Sequence, residues 1–413
     1  MHKEHCDVLV IGAGPAGTLA AAMLNRAGLT VRIVEKQKFP RFMIGESLLP
    51  RSMEHLQEAG LFEAVANFGF QKKLGARLIK HGKICMIDFD DQYSAGWKWT
   101  WQVPRADFDK LLADEVEKRG VAIAYETAVT DVRFEGTDSV TRTKADDGKE
   151  GEIGARFLID ASGAGRVIPR ALGLVKPSGL PPRSAFFVHA RDGKRPSGSE
   201  GTQITFMVPR TDAWFWVIPF SNGVTSLGFA GSSEFFDGFP DRDETDFRNA
   251  VRTDEHYAER FEGAEYVFAP RFVEAYANSV ARLHGDGYAI AGNSAEFLDP
   301  IFSSGVAFAT ESGCLAAKLA VRQLGGEVVD WEAEYAAHMK AGIDVFRHYV
   351  NAWYDGSLQD IFFADGVNVE IKRQICSVLA GYVWDTSNPF VAQCERASRA
   401  VADAIRARTS QSG

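Results

Sequence analysis

The chain has 413 residues, is 46% hydrophobic and 24% charged, and carries a formal net charge of −9. That balance argues against nucleic acid and anionic membranes as main partners, and no apolar stretch reaches the length of a membrane span. Five scattered cysteines without CxxC spacing, and nine histidines without an HExxH or clustered pattern, point to reduced thiols, no metal and a cytoplasmic setting.

The first element is the run Asp-Val-Leu-Val-Ile-Gly-Ala-Gly-Pro-Ala-Gly from Asp7 to Gly17. It predicts a buried strand over Val8–Ile11, a glycine turn, a helix from Pro15 to about Ala27, and a second strand from Val31 ending at Glu35. Gly12 permits the tight turn, Gly14 admits a pyrophosphate to the backbone, and Gly17 lets helix and strand pack closely. The N–H groups around Pro15 and Ala16 at the helix start hold negative charge. Glu35 lies about 20 residues beyond the turn, where an acid accepts a ribose hydroxyl; that favours FAD or NAD over NADP. Only one complete fingerprint of this kind is present.

Further along, the pattern predicts a helix over 106–119 and strands over 122–125 and 130–134. Short strands then follow over 184–191, 203–208, 214–219 and 224–230, divided by Gly, Pro, Asp and Ser turns. A strand over 287–291 and a helix over 305–324 return to alternating α/β structure. From Trp331 the chain reads as helical, with Tyr335, Phe346, Tyr349, Trp353 and Tyr354 at helical spacing, a stripe that suits core packing. The expected organisation is a Rossmann-like α/β FAD-binding domain formed by residues 1–175 and 281–330. Residues 176–280 make an inserted antiparallel sheet for the substrate, and residues 331–413 a helical C-terminal region.

Two segments narrow the dinucleotide to FAD. Ala155-Arg-Phe-Leu-Ile-Asp-Ala-Ser-Gly163 delivers Asp160 to a Gly/Ser turn. Gly287-Tyr-Ala-Ile-Ala-Gly-Asn293 leads on to Asp299-Pro300 and a Ser-Ser-Gly turn. Both resemble motifs of the FAD-dependent hydroxylase superfamily. The resemblance implies Asp160 near the pyrophosphate turn and Gly292–Asn293 on the ribityl chain, where the amide of Asn293 replaces the usual carboxylate and can still bond a hydroxyl. It places Arg105 beside the flavin, the other reading being a surface arginine capped by Asp109. It also adds Lys36, Arg41, Ser47, Val129, Asp299, Pro300, Gly305 and Val306 to the cofactor-binding set.

Three more motifs, Phe39-Pro-Arg-Phe-Met-Ile-Gly-Glu-Ser-Leu-Leu-Pro50, Gly69-Phe-Gln-Lys-Lys-Leu-Gly-Ala76 and Trp214-Phe-Trp-Val-Ile-Pro219, resemble the flavin-dependent halogenases of the phenolic and carrier-protein-substrate branch. The likeness covers residues 5–310 and fades afterwards. It implies that reduced FAD, supplied by a separate flavin reductase, turns dioxygen and chloride or bromide into hypohalous acid. By that likeness Ser304 and Gly305 hold the halide at a helix N-terminus; the same turn also suits plain flavin contact. Lys73 holds and directs the hypohalous acid, whereas Lys72 next to it points to the opposite face of a strand. Trp214, Trp216, Ile218 and Pro219 screen flavin from substrate, unless they are ordinary core. The glutamate of the indole halogenases is replaced by Phe302, which points away from tryptophan as substrate. Three activities follow: halogenation of an electron-rich aromatic substrate, phenolic or carrier-bound; halogen-free hydroxylation, dehydrogenation or reduction of an aromatic or polyene acyl substrate; and flavin binding without turnover.

Overall fold

Residues 2–412 are described by a computed structural model. Its first sheet is built on the strand His2–Ile11, which pairs in parallel with Val31–Val34 on one side and Glu150–Asp160 on the other. Tyr288–Ile290 and Ala122–Ala124 extend the same parallel array. The central strand carries four consecutive apolar residues, Val8 to Ile11, because helices cover both faces of a parallel sheet. Register sets Ile11 opposite Asp160 and Asp160 opposite Ile290. Three strands therefore end level, and their following turns lie together at one carboxyl edge, where open α/β sheets bind ligands.

Glycine makes this edge compact. Gly12 has φ +99°, and a Cβ there would stand 2.4 Å from the carbonyl oxygen of Ala161. A Cβ on Gly17 would stand 2.0 Å from the oxygen of Gly12. The helix Pro15–Arg26 packs on the long helix Ser304–Leu324 just as closely, since a Cβ on Gly313 would approach the oxygen of Ala16 to 2.4 Å.

The second sheet has seven strands in the order Arg271–Val273, Ser184–Arg191, Val224–Gly231, Ala213–Pro219, Ile204–Arg210, Gly75–Lys80, Lys83–Asp88. It corrects the expectation of an antiparallel sheet drawn from residues 176–280 alone. Gly75–Lys80 and Lys83–Asp88 come from the N-terminal part, and the joint between Ile204–Arg210 and Gly75–Lys80 is parallel. Such a pair needs a long crossover, so no local turn signal announces it. Three short helices, Ser233–Phe236, Glu244–Val251 and Glu255–Phe261, interrupt the stretch read as strands. Phe236, Phe247 and Tyr257 cover one face of the sheet around Phe215 and Phe229; the other face joins the main core.

After Trp331 a π-helical turn, Glu332–Ala336, leads into Ala337–Tyr354, followed by Ser357–Phe363, Val369–Leu379 and Cys394–Ser412. Tyr335, Phe346, Tyr349 and Trp353 are buried, in keeping with core packing. Among the described residues no helix is long and apolar enough to cross a membrane.

Candidate active site

The dinucleotide end comes together as the glycine spacing requires. Gly14 caps the first helix without a side-chain hydrogen bond, and a Cβ on it would meet only Arg41 Nη2, at 3.6 Å. Its outer side is open, unlike that of Gly12 and Gly17. Arg41 is held by Asp109 through Nη1 (2.9 Å) and stands 3.8 Å from Glu35, while its buried Nε has no hydrogen-bond partner. An open glycine, an uncapped helix N-terminus and a cation with a spare donor fit a pyrophosphate. These residues fit FAD.

Several neighbours hold turns as well as lining the site. The carboxylate of Glu35 accepts the N–H of Ala13 (2.8 Å) and of Gln37 (2.9 Å). Asp160, wholly buried, accepts the N–H of Ser162 (2.9 Å) and of Ile168 (2.6 Å); burial pushes its carboxyl upward. Arg105 is neither a surface residue nor a free cation. It is buried, binds Asp109 through two donors (2.8 and 2.9 Å), and donates to the oxygens of Ile44 and Gly45. Its work in this structure is to brace the loop that carries Ser47. Asn293 lies beside the Ser303–Gly305 turn, with its Oδ1 3.7 Å from where a Gly305 Cβ would be. Lys36 is exposed next to Glu35, and Val129 packs against the cluster that contains Ile11 and Val34.

The second centre is the lysine cavity. Gln71–Lys73 pairs with Thr100–Gln102, and alternation sends the two lysines apart. Lys72 is exposed, its ammonium 4.3 Å from the centre of the Trp99 ring. Lys73 is 2% exposed and donates to Ser47 Oγ (2.8 Å) and to the oxygen of Leu48 (2.9 Å). No carboxylate pairs with it, and burial lowers its ammonium to about 7, so charged and neutral forms are both accessible near neutrality. Ser47 was expected on the cofactor; here its hydroxyl serves the lysine.

Lys73 lines a partly open cavity with about 410 Å³ of empty space. Phe89, Phe206, Phe302, Ser303 and Trp353 share the lining. Pro300–Phe302 forms a 3-10 turn, capped by Asp299 through the N–H of Ile301 (3.0 Å), and Ser303 follows with φ +56°. A left-handed residue after a helical turn gathers successive N–H groups into an anion-binding concavity. Ser304 and Gly305 open the next helix directly after it. Val306 is buried behind them.

Asp299 itself does not reach outward. Its buried carboxylate takes hydrogen bonds from Tyr276 (2.8 Å) and Tyr354 (3.2 Å), with Arg183 at 3.7 Å. Tyr354 in turn accepts the indole N–H of Trp214 (2.9 Å). Trp214 and Trp216 face the same side, ring centres 5.5 Å apart, with Trp214 against Phe206 of the cavity wall. Gly228 makes room for Trp216, whose ring carbon would lie 2.1 Å from a Cβ there. Ile218 is buried, and the oxygen of Pro219 accepts Gln102 Nε2 (2.6 Å). The sequence offered no signal for Tyr276, Arg183 or Tyr354 as partners of Asp299, nor for the buried pair of Glu46 and His189 (2.6 Å).

A family model for the FAD binding domain matches residues 5–314. The carrier-protein pyrrole-2-carbonyl brominase of Pseudoalteromonas luteoviolacea is 28% identical, over 92% of this chain and 92% of its own length. Among solved structures, a flavoprotein/dehydrogenase of Cytophaga hutchinsonii is 53% identical, with TM-score 0.95 over 98% of this chain and all of that one. A flavin-dependent brominase is 26% identical, with TM-score 0.84 over 97% and 99%. The chain belongs to the FAD binding domain family, is similar to flavin-dependent halogenases, and is an FAD-dependent oxidoreductase.

Proposed function

We propose that this protein halogenates an electron-rich aromatic substrate, phenolic or carrier-bound, with hypohalous acid that Lys73 holds and directs. The observation that carries the reading is a fully buried lysine with no acidic partner, set in an apolar cavity next to the Ser303–Gly305 turn. A structural lysine at such depth is normally paired; an unpaired one is a candidate for chemistry.

When bound, reduced FAD would activate dioxygen, the oxidant that takes halide to hypohalous acid while its second oxygen leaves as water. The chain does the rest. Arg41 and the N–H groups beyond Gly14 hold the pyrophosphate, while Asp160 and Asp299 fix the turns that approach the ring. The Ser303–Gly305 turn receives a halide without a competing carboxylate. Protonated Lys73 donates to the hypohalous oxygen, which raises the electrophilicity of the halogen. Phe302 offers no base for the ring proton, so the substrate must activate its own ring, as a phenol or a carrier-bound pyrrole does. Trp214 and Trp216 keep the compartment dry. The single dinucleotide fingerprint supports reduction by a separate flavin reductase.

A second reading, oxidation of an aromatic or polyene acyl substrate without halogen, is favoured by the description of the Cytophaga hutchinsonii relative as a flavoprotein/dehydrogenase. The two separate in one experiment. Holoprotein is reduced anaerobically, then mixed with oxygen and bromide or chloride in the presence of a generic halogen acceptor. Halogenated acceptor is the expected outcome. Flavin reoxidation with hydrogen peroxide alone, for both halides, overturns halogenation and leaves the second reading.

A further inference from the structure

The cavity holds a polar group that neither the resemblance nor the lysine accounts for. Trp353 is 0% exposed and forms part of the same wall as Lys73, with its ring edge-to-face to Phe302 at 6.0 Å and 88°. Its indole N–H has no acceptor. Four other indoles on buried or half-buried elements find acceptors: Trp214 donates to Tyr354, Trp216 to Ser226 (3.1 Å), Trp331 to Gln323 (2.6 Å) and Trp384 to the oxygen of His338 (2.7 Å). A buried donor without a partner is costly, and folded proteins tolerate few of them.

Its surroundings restrict what could satisfy it. No Asp, Glu, Asn or Gln lines the cavity. Lys73 spends two of its hydrogens on Ser47 and Leu48, and a protonated lysine keeps a third. The wall is therefore donor-rich, acceptor-poor and without negative charge. A small guest in this space lies among the side chains that Lys73 and Trp353 contribute to one wall.

We propose that the Trp353 indole N–H is a second donor of the lysine cavity, gripping together with Lys73 a small acceptor-only guest, a halide ion or a hypohalite oxygen. The inference rests on the halogenation reading for its biological guest, but not for the site itself. A donor fixed on a rigid ring adds direction that a flexible ammonium lacks. It also opposes escape of hypohalite into solvent.

The test uses holoprotein and Trp353→Phe, which keeps an aromatic ring but removes the indole N–H together with the five-membered ring. In the first arm, bromide alone is titrated calorimetrically into oxidised holoprotein. In the second, turnover is run with substrate and a competing free halogen trap, and the partition of halogen between them is scored. The variant should retain its FAD, and either bromide affinity should fall at least fivefold or escape to the trap should rise at least tenfold. The first result identifies the guest as halide, the second as hypohalite. Trp353→His, which restores a ring N–H, should recover part of the loss. If Trp353→Phe does not fold, wild-type protein labelled with ¹⁵N-indole tryptophan gives the reading instead: one indole N–H resonance should shift on bromide addition. A variant equal to wild type in both arms, or a spectrum indifferent to bromide, overturns the inference. A wild type that makes no hypohalite but binds bromide in a Trp353-dependent way overturns the proposed function and leaves the second donor standing.

Discussion

The pyrophosphate end and the lysine cavity are built on opposite principles. At the pyrophosphate end the determinants are contiguous, and backbone does the binding. Gly12, Gly14 and Gly17 sit on one turn, and the groups offered are N–H dipoles that only a substitution by proline removes. At the cavity the determinants are side chains from distant parts of the chain: Ser47 from a loop, Lys73 from a short ladder, Ser303 from a helix start, Trp353 from the C-terminal helices. The first site is forgiving of side-chain identity and intolerant of a Cβ. The second tolerates backbone variation and depends on a few polar atoms in a dry wall.

That contrast predicts the largest effect at Gly17. Gly17→Ala drives a Cβ to within 2.0 Å of a carbonyl oxygen, with no flexible side chain to yield, and the expected yield of folded protein is close to nil by circular dichroism and gel filtration. Gly14→Val should do the opposite, folding normally while binding no FAD, because the only nearby protein atom is 3.6 Å away. A yellow, fully loaded Gly14→Val protein would break the assignment of the pyrophosphate site.

At the cavity, Lys73→Ala should reduce halogenated product by at least about a hundredfold, the scale on which a positioned proton donor acts. FAD content and hydrogen peroxide release should stay near wild type. Full activity in this variant, on a substrate that wild type halogenates, would remove the lysine from the mechanism.

Lys73 also burdens the fold. Its folded-state value of about 7 lies below its ordinary 10.5, so between those limits the unfolded chain binds more protons and stability rises with pH. Below about pH 7 the penalty is present in full, on the order of a few kcal/mol. Lys73→Met should therefore raise the melting temperature, and by more at pH 6 than at pH 9. An equal gain at both would show that the buried ammonium is compensated.

The smallest effect belongs to Lys72→Ala. Its exposed contact with Trp99 is worth at most about 1 kcal/mol, and neither FAD content nor halogenation should change by more than about fivefold on that scale.

Much of the first region was legible in the chain. The spacing Gly12-x-Gly14-x-x-Gly17, the apolar strand before it and Glu35 after it fix a βαβ unit by local rules, since glycine, strand and helix signals all act within a few residues. Four strands of the second sheet were legible for the same reason. What escaped was non-local: the parallel joint of Gly75–Lys80 to Ile204–Arg210, the hold of Arg105 on the Ile44–Gly45 backbone, and the bonding of Asp299 to Tyr276 and Tyr354.

By itself, then, the sequence determined the dinucleotide fold, the cofactor class, and that of two adjacent lysines one must face inward, because alternation along a strand is a property of the backbone. Only the tertiary structure decided that Lys73, the lysine the resemblance names, is buried with no acid beside it among the described residues, and that the Trp353 indole belongs to the same cavity wall without an acceptor. Burial, and the absence of a partner, are properties of everything that packs around a residue, and no local pattern encodes them.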